Sequence, residues 1–147
     1  MKAFLKTYWV ELLFFVVGLV GTLIAYPFLP ESIPVQWHNG QVSNTGPKWI
    51  LLVLALVQFA ASYVVHYSLK RYFEKFPALA PALSGLDRLI SIFISVILLS
   101  CLVCSMLAAW GVGVRVEVIL LAELLLVPIV FIGFVAAKLF KNMGQMK

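Results

Sequence analysis

Four apolar runs of about 20 residues, at residues 8–28, 49–69, 89–110 and 118–137, leave this chain few ways to fold. A helix rising about 1.5 Å per residue needs about that length to cross the hydrocarbon core of a bilayer. In lipid the backbone has to satisfy its own hydrogen bonds, so each run is expected as one helix. Hydrophobic residues make up 63% of the chain and charged residues only 12%, against about a quarter charged in soluble domains. Too little polar surface exists to cover a soluble globule. The expected fold is an all-α integral membrane protein, a single domain over residues 1–147 built as a four-transmembrane-helix bundle.

The net charge of +5 reads as membrane topology rather than affinity for nucleic acid, because no basic stripe interleaved with exposed aromatics lies outside the juxtamembrane segments. Lys2, Lys6, Lys70, Arg71, Lys75, Arg88, Lys138, Lys141 and Lys147 fall on one side of the four runs. Only Lys48 and Arg115 fall on the other. By the positive-inside rule this split places both termini and the 70–87 loop in the cytoplasm, and the 29–48 loop and the 111–117 turn outside. Tyr8, Trp9, Tyr67 and Tyr72 would mark the inner interface, and Tyr26, Trp49 and Trp110 the outer one. The first run is too long for a signal-peptide core and no small-residue cleavage pattern follows it, so it is expected as an uncleaved helix. In the 70–87 loop, Pro77 and Pro81 should keep the second helix from running on. Ser84, three residues before Asp87, has the pattern of a capping box for the third helix. No internal repeat of the transporter kind is visible.

Several polar residues lie inside the apolar runs. Gln58, Ser62 and His66 recur every four residues and share one helical face. Interhelical hydrogen bonding explains such a face, each contact contributing roughly 0.6 kcal/mol; a polar track for an ion or a proton is the sharper alternative. Glu123 lies about 9 Å inside the outer end of the fourth run. An ionised carboxylate at that depth costs about 2.5 kcal/mol or more unless it is protonated, hydrated or paired. Lys48 or Arg115, snorkelling from the outer interface, is the expected partner. Glu123 reads either as a structural ion pair or as an intramembrane binding residue. Glu11, nearer the inner interface, is expected to pair with His66 or Arg88.

Small residues line one face of the first run (Gly18, Gly21 or Thr22, Ala25) and of the third (Ser91, Ser95, Cys101, Cys104 or Ser105, Ala108), which lets helices approach closely. Pro128 is expected to kink the fourth helix and free a carbonyl near Leu124. Cys101 and Cys104, inside a lipid-embedded helix, lack the setting of a reactive thiolate and read as packing residues. His38 and His66 fall on opposite membrane sides, so no zinc site is expected. Nor does any nucleophile–base arrangement, phosphate loop or carboxylate pair stand out, so neither enzymatic activity nor a cofactor is expected.

The 29–48 loop is longer than a connector needs. Pro30 and Pro34 bias Leu29 and Ile33 toward extended backbone. Asn39-Gly40 is a turn dipeptide, and Asn44-Thr45-Gly46 a second turn signal. Two extended stretches around Asn39-Gly40 are expected to form a small hairpin on the outer surface, with Pro47 starting the next helix. Trp37 beside His38 is either a recognition anchor or an interfacial Trp among lipid headgroups.

Leu29-Pro30, Ile33-Pro34, Trp37, Gly40 and Lys48 together resemble the signature of a bacterial membrane module found at the N-terminal end of SdpI-type immunity and signalling proteins. Gln36 stands where many members carry His, and Ser43 or Asn44 stands at their acidic position. The resemblance covers Tyr26 to Lys48 and implies a small multi-pass protein of the bacterial plasma membrane. Some relatives protect the producing cell from a secreted toxic peptide, and some relay its presence to a cytoplasmic regulator. What it implies here is recognition of a secreted peptide toxin or a membrane protein partner through Pro30, Pro34, Gln36, Trp37, His38, Asn39, Gly40 and Lys48, with Glu123 beneath. Two alternatives stay open: a small transporter or channel component using Glu123 and the Gln58, Ser62, His66 face, or a structural subunit of a larger membrane complex.

Overall fold

The computed structural model describes residues 2–76 and 84–144, apart from the side chains of residues 2–6, 139 and 141–144. Helix α1 covers Lys2–Ala25 and a 3-10 turn, Tyr26–Phe28, follows it. Strands β1 (Ser32–His38) and β2 (Gln41–Pro47) precede α2 (Ile50–Phe73), α3 (Leu86–Ala109) and α4 (Val116–Gly144). The four helices are each long and apolar enough to cross a membrane.

Helix ends differ from the expected ones for local reasons. Helix α2 runs on to Phe73, with Lys70 and Arg71 in its last turn, where basic side chains complement the helix dipole. Pro77 and Pro81 lie outside the described residues. Helix α3 begins after Gly85, whose φ of 82° turns the chain, and no side chain caps it. The expected Ser84 cap is therefore absent: Ser84 accepts from Lys138 Nζ through both its hydroxyl and its carbonyl oxygen, and Asp87 faces His66. Helix α4 continues through Pro128, which has no N–H to donate to the Leu124 carbonyl. The irregular helical backbone lies in α1, where Tyr8 has φ −110° and ψ 18°.

Helices α1, α2 and α3 pack on one another, while α4 packs chiefly on α3 and keeps its most apolar stretch unburied. Gly18 supplies the close approach in α1: a Cβ there would lie 2.9 Å from Gln58 Oε1 and 3.3 Å from Leu99 Cδ1. Thr22 and Ala25 continue that buried face, whereas Gly21 has open space beside it. On α3 the buried small residues are Ser91, Ser95, Cys104 and Ser105.

The core has two chemically distinct ends. Toward the strands it is apolar, built from Ala25, Leu29, Ile33, Leu51, Ala55, Leu102 and Met106. Toward the start of α1 it is polar, with Glu11, Ser62, His66, Ser91 and Ser95 all buried.

The strands form an antiparallel hairpin, as the Asn39-Gly40 signal predicts. Asn39 has φ 51° and Gly40 φ 74°, the paired left-handed residues of a tight hairpin turn. Leu29 is extended at φ −85°, ψ 144°, as the residue before a proline should be. Asn44, Thr45 and Gly46 belong to β2 and make no second turn, and Pro47 ends that strand rather than starting α2. The register breaks twice: Pro34 pairs with Thr45 and Gln36 with Asn44, leaving Val35 unpaired, and Trp37 then pairs with Val42, leaving Ser43 unpaired.

Candidate functional site: a cleft beneath the hairpin

Ile33 is fully buried in the apolar core, which fixes β1 against the helices. A regular strand would alternate its side chains between two faces. Ile33, Val35 and Trp37, alternate residues of β1, keep that pattern in spite of the unpaired Val35 and, with the exposed Gln36 at the edge, border one cleft of about 410 Å³ between the hairpin and the bundle. Its other walls are Ile50, Leu51 and Leu54 of α2, Cys101 and Ser105 of α3, and Val116 and Leu120 of α4. Every main helix except α1 contributes, and the lining is dominated by apolar side chains.

Glu123 lies one turn beyond Leu120 on α4. Its Oε1 accepts a 2.5 Å hydrogen bond from the Ser100 hydroxyl, next to Cys101 of the cleft wall. Its Oε2 is buried and has no hydrogen-bond partner. The expected cationic partner is thus replaced by a hydroxyl. Lys48 is unable to serve because its Nζ lies 2.8 Å from Glu31 Oε1, its backbone N–H donates to the Glu31 carbonyl, and its ammonium sits over the Tyr26 ring. These contacts close the base of the hairpin. Arg115 instead borders a second, more polar notch with Glu117 of α4 and Asn39, Gly40 and Gln41 at the hairpin tip.

The remaining sequence-derived residues divide by position. Trp37 is half-buried in the cleft wall, whereas His38, Asn39 and Gly40 are exposed at the hairpin tip. Pro30 is exposed beside the base and Pro34 is half-buried in β1. Gln58, Ser62 and His66 do share a buried face, but toward the opposite half of the bundle. His66 lies 3.5 Å from Asp87. Glu11 accepts from the Ser91 hydroxyl at 2.8 Å, so the expected pairing of Glu11 with His66 or Arg88 does not occur. Sequence reasoning missed Ser100, Glu31 and Leu120, and took Ser91 only as a small packing residue. Ser100 lies about 15 Å from the outer end of the third run and Glu123 about 9 Å from that of the fourth, so depth in the runs gave no signal that pairs them.

Residues 13–59 match a domain family described as a domain of unknown function, DUF1648. That stretch holds most of α1, the whole hairpin and the first turns of α2. It contains the Leu-Pro, Ile-Pro, Trp, Gly and Lys positions and most of the cleft lining. No curated protein and no solved structure matches the chain.

Chemically, the cleft suits an apolar group of side-chain or acyl size, and the unpartnered Glu123 oxygen beyond Leu120 suits a hydrogen-bond donor. Among the described residues no group of three or more His, Cys, Asp or Glu is placed to hold a metal ion.

Proposed function

We propose that this protein is a multi-pass receptor of the bacterial plasma membrane, of the SdpI-type immunity or signalling kind. In this reading the hairpin faces outward, both termini are cytoplasmic, and the cleft takes apolar side chains of a secreted membrane-active peptide. Trp37 forms the aromatic wall, and Glu123 receives a donor from the peptide. The observation that carries the reading is β1 itself, whose Ile33, Val35 and Trp37 line a cleft that the helices alone would not make. The motif of the resemblance thereby acquires physical roles. Ile33 anchors the strand, Lys48 clamps its base, and Gly40 makes its turn.

The test is a challenge of a sensitive bacterial host with a panel of secreted membrane-active peptides, at matched membrane expression of intact protein, Trp37→Ala and Glu123→Gln. The expected outcome is protection by the intact protein and its loss in either variant. An absence of protection against the whole panel overturns the immunity reading.

A further inference from the structure

A second constellation lies away from the cleft, where α1, α2 and α3 meet. Glu11 is only 1% exposed, and its Oε2 has no hydrogen-bond partner while Oε1 takes the Ser91 hydroxyl at 2.8 Å. From Ser91 a polar seam runs along the bundle. Ser95 Oγ donates to the Ser91 carbonyl, the Ser62 and Ser95 hydroxyls are 2.7 Å apart, and Gln58 Nε2 donates to the Ser95 carbonyl. Gln58 Oε1 and His66 Nδ1 are likewise buried without hydrogen-bond partners. The seam therefore ends in unpartnered polar atoms on α1 and α2, at residues buried as deeply as the apolar core.

Among the described side chains Glu11 has no countercharge. Among the described residues the ion pairs are Lys48 with Glu31 and His66 with Asp87, and neither reaches it. One serine hydroxyl satisfies one carboxylate oxygen and leaves the charge uncompensated, which is expensive in helices that cross a membrane. A single carboxylate with the Ser91 hydroxyl on one oxygen and no partner on the other calls for a hard cation carrying one charge. The absence of a second carboxylate beside it argues against a divalent ion.

We propose that Glu11 is the binding residue of a site for one monovalent cation, a proton or a sodium ion. In the proton case an O–H bond forms on Oε2 with a proton drawn from water. In the sodium case Oε2 ligates the ion together with oxygens of the seam. The titratable neighbours on the packed elements are Tyr8 of α1, Tyr63 and His66 of α2, and Asp87 of α3. The Tyr8 ring is 4.8 Å from that of His66 and 5.3 Å from that of Tyr63. Nothing in this site borders the hairpin cleft, so it stands or falls independently of peptide recognition.

The experiment is infrared difference spectroscopy of the purified full chain in liposomes, wild type minus Glu11→Gln. It is recorded across a pH series in potassium salt and again in sodium salt. A neutral-acid carbonyl band at neutral pH, shifted in heavy water and lost in the variant, assigns the proton. Carboxylate bands that move when sodium replaces potassium, and vanish in the variant, assign sodium. Carboxylate bands indifferent to both salts wherever the protein is folded overturn the proposal. Should Glu11→Gln fail to fold, Glu11→Asp serves: an assigned band then shifts its frequency, and bands unaltered by that change overturn the proposal equally.

Discussion

At Gly46 one missing methyl group sets how closely the hairpin seats on the bundle. A Cβ there would meet Ile50 Cδ1 at 2.7 Å and Val35 Cγ1 at 3.2 Å. The Ile50 tip can rotate away, but Val35 is β-branched and stiff at χ1, and it sits at the bulge. Gly46→Ala should therefore lift β1 and deform the cleft wall, at a cost of about 1–3 kcal/mol, the usual range for overpacking. Thermal unfolding in mild detergent checks it, with a lowered midpoint expected. Glu123 teaches the limits of the sequence at this scale. Its position was legible because a carboxylate inside an apolar run is conspicuous. Its partner was not, because Lys48 is held by Glu31, 17 residues earlier in the chain, and hydroxyls such as Ser100 carry no mark of which helix they will face. The Glu11–Ser91 pair, 80 residues apart, was hidden for the same reason.

The elements themselves were the most readable level. Four runs of bilayer length announce four helices and Asn39-Gly40 announces the hairpin turn, and both are present although the helix ends differ. What pattern reasoning could not supply were features set by tertiary contacts. The paired bulges at Val35 and Ser43, the capture of Ser84 by Lys138 and the irregular turn at Tyr8 all depend on neighbours distant in sequence. The turn's own chemistry yields a sharp expectation. Replacing Asn39 and Gly40 together by Ala places two L-residues in left-handed backbone, at about 1–2 kcal/mol each. The hairpin should open, and trypsin should cut at Lys48 in the variant but not in the intact protein. The α1–α2–α3 packing does not depend on that turn, so the helical circular dichroism should persist.

Across the whole molecule, an apolar core under the hairpin is opposed by a polar seam toward the start of α1, with α4 applied to α3 from outside. This polarity was partly visible, since the Gln58, Ser62 and His66 spacing predicts a shared face; the cleft was not, because it exists only once the bulged strand is laid over three helices. The charge split predicts the orientation of the ensemble. Ser43 and Glu74 are both exposed and lie beyond opposite ends of the second apolar run. In intact cells a membrane-impermeant maleimide should label Ser43→Cys and should label Glu74→Cys only after permeabilisation. The reverse pattern would invert the topology.

The central claim is that the cleft beneath the hairpin receives a peptide, and photo-crosslinking from its wall tests it most directly. A photoreactive amino acid is placed at Leu120, which lines the cleft, and in a parallel variant at its exposed neighbour Leu121. Cells are then exposed to the panel of secreted membrane-active peptides. The account predicts a peptide adduct from position 120, absent from position 121 and lost when Trp37→Ala is added. Equal adducts from both positions, or none from position 120, would contradict it.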